Sequence, residues 1–311
     1  MNILFGINSL KEAIEFKDDI EEFYFGLNNI PNHRRWYKNL NLRSIDEAID
    51  VIKFAISCKK KIYLAINEIY EEKELNSLLK IIKNLLRMGL SGLIIRDIRL
   101  LDIFKEKTFL ILSTTATTFN SQSVKFYKQL GVNRITLPCH LMPSEAKKII
   151  ETNCNDIDFE IFYFPHEFCR NIDGICLYHT FKGKITAGNC KYSLMARRKK
   201  FNMPLPNLVL RENFIKEYKK MGVKHIKIPR DGEIKEKKEK AKAETTDKKA
   251  LAKKIKEINE EHRIKREEIY PLNFPEFLQL KYKIPYPENM KEYRHCAFCS
   301  DSFRLPCVES F

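Results

Sequence analysis

The chain has 311 residues, 44% of them hydrophobic, so it is long enough to bury a large core. No apolar run reaches the ~18–20 residues that a membrane span needs, and the N-terminus lacks the basic-then-apolar layout of a signal peptide. We therefore expect a soluble cytoplasmic protein without a membrane partner. The formal net charge of +15 favours an anionic partner, most simply RNA, although a lysine-rich composition can also reflect a bias unrelated to binding.

Short apolar runs alternate with amphipathic stretches from residue 2 to residue 229. The stretch 44–56 has Ile45, Ala48, Ile49 and Ile52 at the spacing of a buried helical stripe, and 73–89 is a second predicted helix. Strands separated by helices favour parallel pairing, so we predict an α/β fold, a TIM-like (β/α)8 barrel over residues 1–230. A doubly wound open sheet is the alternative, but no glycine-rich turn follows the first strand. The predicted strands are 2–6, 21–26, 61–67, 91–97, 108–114, 133–138, 158–165 and 223–229.

The barrel pattern stops at residues 231–268, where nearly every residue is charged and the signs are almost balanced. This composition predicts an exposed helical arm or hairpin, or a partly disordered insertion. Such an arm is either solvated or in contact with RNA or a partner. Residues 269–311 combine prolines and aromatic residues with a cysteine-containing end, which predicts an irregular wrap over the barrel.

Polar residues end many of the predicted strands. In a β/α barrel the active site is built at this carboxyl-terminal end, so these residues are candidates for a pocket. Some of them should instead cap the following helix, and we expect this of Ser121 and Asp97. The strand-end residues are Asn67, Asp97, Ser113, Thr114, Cys139, His140, His166 and Arg230.

Three cysteines, Cys169, Cys176 and Cys190, follow the seventh predicted strand. Cytoplasmic thiols stay reduced, so a metal is favoured over disulfides. The C-x6-C-x13-C spacing lacks the two tight pairs of a structural zinc site, whereas iron–sulfur clusters accept more varied loops. Three ligands are one short of four, and the spacing alone does not identify the metal. The fourth ligand could come from the C-terminal residues Cys296, Cys299 and Cys307, or these could bind zinc separately with His295.

Two basic stretches are candidates for RNA binding. Arg34, Arg35 and Trp36 follow the second strand, and Arg197 and Arg198 follow the third of the clustered cysteines. Arginine neutralises phosphates and tryptophan can stack on bases. The alternative is a solvated loop with one aromatic residue anchored in the core.

Six segments follow one another over about residues 1–232, namely LAINEIYEEKEL, GLIIRDIRLL, STTATTFNSQSVKFYKQLGV, FEIFYFPHEFCRNIDGICL, AGNC and GVKHIKIPRDG. Their order resembles that of peptidase family U32, the collagenase-like group. Better-understood members resemble oxygen-independent hydroxylation enzymes, several acting on RNA bases, that carry a [4Fe–4S] cluster on four cysteines. The resemblance therefore implies such a cluster, with Cys169, Cys176 and Cys190 as ligands.

The chain also departs from the family pattern. Cys139 and His140 stand where the family usually has Arg-Glu, and KIPRD replaces KIEGR, so that a glutamate is missing while a lysine and an arginine, Lys227 and Arg230, are kept. Ser193 stands near the position of an additional family cysteine. The fourth ligand is thus unassigned, with Cys296 and Cys299 as the first candidates. The chain resembles either a divergent subgroup or one subunit of a pair within the family.

These observations lead us to predict an iron–sulfur enzyme that hydroxylates a tRNA or rRNA base without oxygen. We assign catalysis to His166, His140 and Asn67, and the binding of an anionic co-substrate to Lys227 and Arg230. One alternative is a metal-dependent peptidase that uses Glu167 beside His166. The other is a non-catalytic module that binds zinc through its C-terminal cysteines and RNA through its basic surface.

Overall fold

The computed structural model describes residues 1–32, 40–138, 141, 143–153, 155–163, 193–196, 199–202 and 208–230. The strands in these ranges are β1 Asn2–Gly6, β2 Glu22–Phe25, β3 Lys61–Ile66, β4 Gly92–Ile95, β5 Phe109–Leu112, β6 Arg134–Thr136, β7 Asp158–Phe162, β8 Ser193–Ala196, β9 Lys199–Asn202 and β10 His225–Ile228. The helices are α1 Leu10–Phe16, α2 Ile45–Ser57, α3 Glu72–Arg87, α4 Ile98–Phe104, α5 Ser121–Gln129, α6 Pro143–Asn153 and α7 Leu208–Lys220, with a short 3-10 helix at Thr114–Ala116.

Eight parallel strands close into a barrel in the order β1, β2, β3, β4, β5, β6, β7, β10. The sheet has no open edge because β1 pairs with both β2 and β10. This closure confirms the predicted (β/α)8 barrel and excludes the doubly wound alternative. The structure also contains an antiparallel hairpin, β8 with β9, that the sequence reading did not predict.

The side chains of the barrel strands alternate between the inside of the barrel and the layer beneath the helices, as the pleat requires. On β3, Tyr63 and Ala65 belong to a cluster inside the barrel. Ile62, Leu64 and Ile66 belong to the larger cluster beneath the helices. This alternation identifies the residues of a strand that face inward, and it extends to the residue that follows the strand.

Helices α1 to α5 begin at polar caps, and α2 buries an apolar stripe. On α2, Ala48 and Ile52 of the predicted stripe are buried, and Ser44 accepts a hydrogen bond from the Glu47 amide. The prediction that Ser121 caps α5 was wrong by one residue. The Asn120 side chain caps this helix by accepting from the Ser123 amide at 2.9 Å, because asparagine reaches the third amide of a helix as well as serine does.

The predicted arm at 231–268 and the predicted C-terminal wrap at 269–311 lie outside the described residues. Among the helices that the structure describes, none combines the length and the hydropathy needed to cross a membrane.

Candidate functional site

A row of polar residues follows the last paired row of β3, β4 and β5. That last row is Ile66, Ile95 and Leu112, and the next residues along the three strands are Asn67, Arg96 and Ser113. The preceding inner residues are Ala65, Ile94 and Ile111. By alternation, the polar row therefore lies on the inner side at the carboxyl-terminal mouth of the barrel.

Two members of this row contact each other inside the mouth. Asn67 Nδ2 donates to Ser113 Oγ at 3.4 Å, although β4 lies between their strands. Thr115 Oγ1 donates to the same serine oxygen at 2.9 Å and lies 3.4 Å from the Asn67 carbonyl. The structure thus brings the predicted residues Asn67 and Ser113 together. A fixed amide and two hydroxyls at this point can donate to and accept from a polar ligand.

The turn after β5 buries further hydroxyl groups. Thr114 and Thr118 are buried, and neither Oγ1 atom has a hydrogen-bond partner among the described residues. Between them Thr117 has a left-handed backbone with φ 57°, which a β-branched residue rarely adopts. A buried hydroxyl without a partner costs stability. Packing alone therefore does not explain why threonines occupy this turn.

Arg230, one of the two predicted anion-binding residues, lies buried at the mouth after β10. Its Nη1 donates to Asn41 Oδ1 at 2.5 Å and to the Leu40 carbonyl at 3.4 Å. Its Nη2 lies 3.4 Å from Asn32 Oδ1. These contacts join the end of β10 to the β2–α2 connection.

Two glycines provide the room for the Arg230 side chain. A Cβ atom on Gly6 would lie 2.5 Å from Arg230 Cγ and 2.7 Å from its backbone nitrogen. A Cβ atom on Gly26 would collide with Arg230 Nη1 and Asn41 Oδ1. The glycines are therefore required by the close approach of Arg230, which no local sequence pattern indicated.

Lys227, the other predicted anion-binding residue, is buried one layer below. Its Nζ atom lies 4.5 Å from the ring centroid of Tyr24 and 5.3 Å from that of Phe162. The Arg230 guanidinium lies 5.4 Å from the same tyrosine ring. Tyr24 is thus in contact with both cations, and its hydroxyl accepts from the Arg230 amide at 3.2 Å.

The barrel interior also contains an ion-pair network that sequence reasoning missed. Arg134 donates to both oxygens of Glu22, at 2.6 and 3.0 Å, and to Glu160 at 3.3 Å. Glu160 also accepts from Thr136 at 2.9 Å and lies 3.5 Å from Lys227 Nζ. One signal could have found it: each of these charges stands at an inner position of an apolar strand, as in NRITLP and DFEIFYFP.

The network sets the ionisation of its members. Burial lowers the pKa of Lys227 to about 8, against the opposing attraction of Glu160. Burial would raise the pKa of Glu160, but Lys227 and Arg134 hold that pKa below its ordinary value. Burial and the neighbouring Arg134 charge lower the pKa of His225. The interior therefore holds an ionised carboxylate beside an amine that loses its proton unusually easily.

This amine predicts a pH dependence of stability. Between pH 8 and 10.5 the folded Lys227 is largely neutral whereas the unfolded one is protonated, so the unfolded state binds more protons and stability should rise with pH. We expect the free energy of unfolding of the wild type, relative to Lys227→Met, to increase by about 2 kcal/mol from pH 8 to 10. Urea unfolding at both pH values measures it. Lys125→Met, at an exposed lysine of α5, should show no such change relative to wild type, and a flat difference for Lys227→Met would contradict the expectation.

Asp97 is a helix cap, as predicted for it. Its carboxylate accepts from the Arg99 amide at 3.0 Å and from the Tyr70 amide at 3.2 Å. Arg99 also pairs with it at 2.7 Å, and this arrangement keeps the pKa of Asp97 low despite burial. Asp97 therefore holds the β3–α3 and β4–α4 connections together and is not a member of the polar row.

Most of the other predicted site residues lie outside the described residues and stay predictions. Within the described ranges, no group of three or more His, Cys, Asp or Glu residues could hold a metal ion. The described Cys58 is a free thiol at the carboxyl end of α2. The predicted residues that are not described are Cys139, His140, His166, Glu167, Cys169, Cys176, Cys190, His295, Cys296, Cys299, Cys307, Arg34, Arg35, Trp36, Arg197 and Arg198.

A family model described as peptidase family U32 matches residues 6–277 of the chain. The "Uncharacterized protease MJ0090" of Methanocaldococcus jannaschii is 28% identical over 200 residues, which are 63% of this chain and 47% of that protein. The "tRNA hydroxylation protein P" of Escherichia coli is 29% identical over 121 residues, 38% of this chain and 26% of that protein. Its namesake from Haemophilus influenzae is 31% identical over 145 residues, 45% and 30% of the two chains.

The chain spans less than half the length of these curated relatives. Among solved structures, that of the U32 peptidase Mk0906 superimposes with a TM-score of 0.51 at 10% identity. The superposition covers 73% of this chain and 92% of that one. At this identity the likeness supports the barrel fold alone.

Proposed function

The chain belongs to peptidase family U32, and from this premise we propose that it is an iron–sulfur enzyme that hydroxylates a tRNA or rRNA base without oxygen. The observation that carries the proposal is the similarity to two proteins named for tRNA hydroxylation. The net charge of +15 is consistent with an RNA substrate. The polar row at the barrel mouth lies where barrel enzymes bind their substrates.

The described residues supply polar contacts for a base. The Asn67 amide offers donors and an acceptor, and Ser113 and Thr115 hold it in one orientation. Lys227 and Arg230 add positive charge below and beside the mouth, which would favour an anionic co-substrate. His140 and His166, which follow β6 and β7 in the sequence, are proposed to move protons there.

The proposed [4Fe–4S] cluster would be held by Cys169, Cys176 and Cys190, with Cys296 or Cys299 as the fourth ligand. Thiolates are the ligand type that such clusters require. When bound, the cluster would supply redox chemistry that no protein side chain provides. The first three cysteines follow β7, so the chain enters this segment at the carboxyl-terminal end of the barrel.

RNA from a strain without the gene tests the proposal. Mass spectrometry of nucleosides from its tRNA and rRNA should reveal the loss of a hydroxylated base, and the wild-type gene should restore it. A gene that carries Asn67→Ala should restore much less, because the amide that orients the base is gone. Unchanged hydroxylated nucleosides in the deletion strain would contradict the proposal.

A peptidase is the second candidate, because the relative that matches 63% of the chain is named a protease. A hydrolytic role needs an activated water and a general base, for which Glu167 beside His166 is the proposed pair. Cleavage of gelatin by the purified chain, abolished by a chelator, would favour this candidate over the hydroxylase.

Purification from the native cells tests whether a second family member takes part. A partner of the same family that copurifies with the chain would mean that the hydroxylase acts as a pair.

The other alternative is a zinc-bound, non-catalytic RNA module. It predicts that the purified protein contains zinc without iron.

A further inference from the structure

Among the described residues, three cations lie near the carboxyl-terminal mouth, and they differ in accessibility. Arg230 and Lys227 are each only 4% exposed. Both hold partners within the chain, Arg230 in its contacts with Asn41 and Leu40, and Lys227 in its pair with Glu160. Arg96 is half-buried, so part of its side chain is open to solvent. A ligand that arrives from solution therefore meets Arg96 more readily than the other two.

Arg96 lies between two residues that already converge. Asn67 and Ser113 occupy the same row on the flanking strands and meet at 3.4 Å in front of β4. The side chain of Arg96 therefore begins between the amide of Asn67 and the hydroxyl of Ser113. Guanidinium, amide and hydroxyl groups together are a donor set that suits the oxygens of a carboxylate or a phosphate.

The adjoining turn adds to this donor set. Thr114 directly follows Ser113, is buried, and has a hydroxyl without a partner among the described residues. The positive charge of Arg96 also acts on Tyr127, whose hydroxyl donates to the Ala116 carbonyl of this turn at 3.3 Å. The charge of Arg96 therefore acts on a side chain that is bonded to this turn.

We infer that Arg96, together with Asn67, Ser113 and Thr114, forms an oxyanion-binding subsite at the mouth of the barrel. The shared chemistry is a carboxylate of a small acid or a phosphate of a nucleotide. The inference rests on the proposed function only in treating the mouth as the substrate-binding end. It assigns the contact with the anion to Arg96 and leaves Arg230 and Lys227 as buried residues that shape the mouth.

Titration calorimetry on the purified full chain tests the subsite with two probes, uridine 5′-monophosphate and malonate. We expect at least one to bind, and Arg96→Gln to raise its dissociation constant at least tenfold. Ser113→Ala should raise it severalfold, since one donor is lost. The probe that binds more tightly identifies the source of the oxyanion as nucleotide or small acid.

The matched control is Arg87→Gln, which removes an equal charge from an exposed position at the end of α3 and should bind like the wild type. Circular dichroism confirms that each variant is folded, and Arg96→Lys, which keeps the charge without the planar fork, should recover part of the affinity. The inference is overturned if neither probe binds, if Arg96→Gln binds like the wild type, or if Arg87→Gln weakens binding equally. Because the readout is binding and not RNA modification, a failure here is distinguishable from a failure of the proposed function.

Discussion

Replacement of Arg134 by methionine is expected to lower the free energy of unfolding by about 3–5 kcal/mol, the usual cost of removing one partner from a buried ion pair. Arg134 is 1% exposed and bonds to Glu22 through two nitrogens, at 2.6 and 3.0 Å. It also contacts Glu160 at 3.3 Å. Without it, Glu22 loses two hydrogen bonds from its cation and Glu160 loses one of its two neighbouring cations, and methionine cannot replace these hydrogen bonds.

Urea unfolding followed by circular dichroism at pH 7 measures this loss. The control is Arg87→Met, an exposed arginine whose replacement should change stability by less than about 0.5 kcal/mol. A loss for Arg134→Met as small as that of the control would show that the network is not needed for folding.

The pH dependence identifies the cause of the loss. In the wild type the pKa of Glu160 is held below its ordinary value of 4.5, despite burial, by Lys227 and Arg134. That stabilisation is present above pH 4.5 and is lost as the pH falls through the folded-state pKa. Without Arg134 the carboxylate should take up a proton at higher pH. The difference between wild type and variant should therefore narrow as the pH falls toward 4.5, whereas a difference due only to lost packing would stay constant.

The second large effect is expected at the cysteines. Cys176→Ala should abolish the hydroxylated base in RNA, because a cluster ligand cannot be replaced by a methyl group. The matched control is Cys58→Ala, at the carboxyl end of α2, where the thiol lies 3.8 Å from Ser57 Oγ. Complementation of the deletion strain with each gene, followed by nucleoside analysis, should show full activity for the control alone. Full activity for Cys176→Ala would remove this cysteine from the proposed centre.

The sequence was sufficient to predict the barrel because its signals are local. Each strand is a short apolar run, and each intervening helix carries a buried stripe such as that of α2. All eight predicted strands correspond to barrel strands within a few residues. The cap of α5 was misplaced because Asn120 and Ser121 are neighbouring residues with equal capping ability.

The interior of the site was harder to predict because its contacts are far apart along the chain. Arg134 and Glu22 are 112 residues apart, and Arg230 and Asn41 are 189 apart. Local patterns cannot show that such residues meet, nor that Gly26, which follows β2, is kept small by an arginine that follows β10. Arg96 was not among the predicted site residues because the predicted strand ran to residue 97, so that Asp97 was taken as its polar end. Only the register of β3, β4 and β5 shows that Arg96 lies in the same row as Asn67 and Ser113.

Anaerobic purification with iron, sulfide and zinc analysis is the most direct test of whether the chain is an iron–sulfur protein. We expect a broad absorption band near ~400 nm and about four iron and four sulfide per chain, as for a cubane cluster. Both should be lost in Cys169→Ala and kept in Cys58→Ala, and loss in Cys296→Ala or Cys299→Ala would identify the fourth ligand. A colourless protein that contains one zinc and no iron would contradict the claim and favour the RNA-binding module.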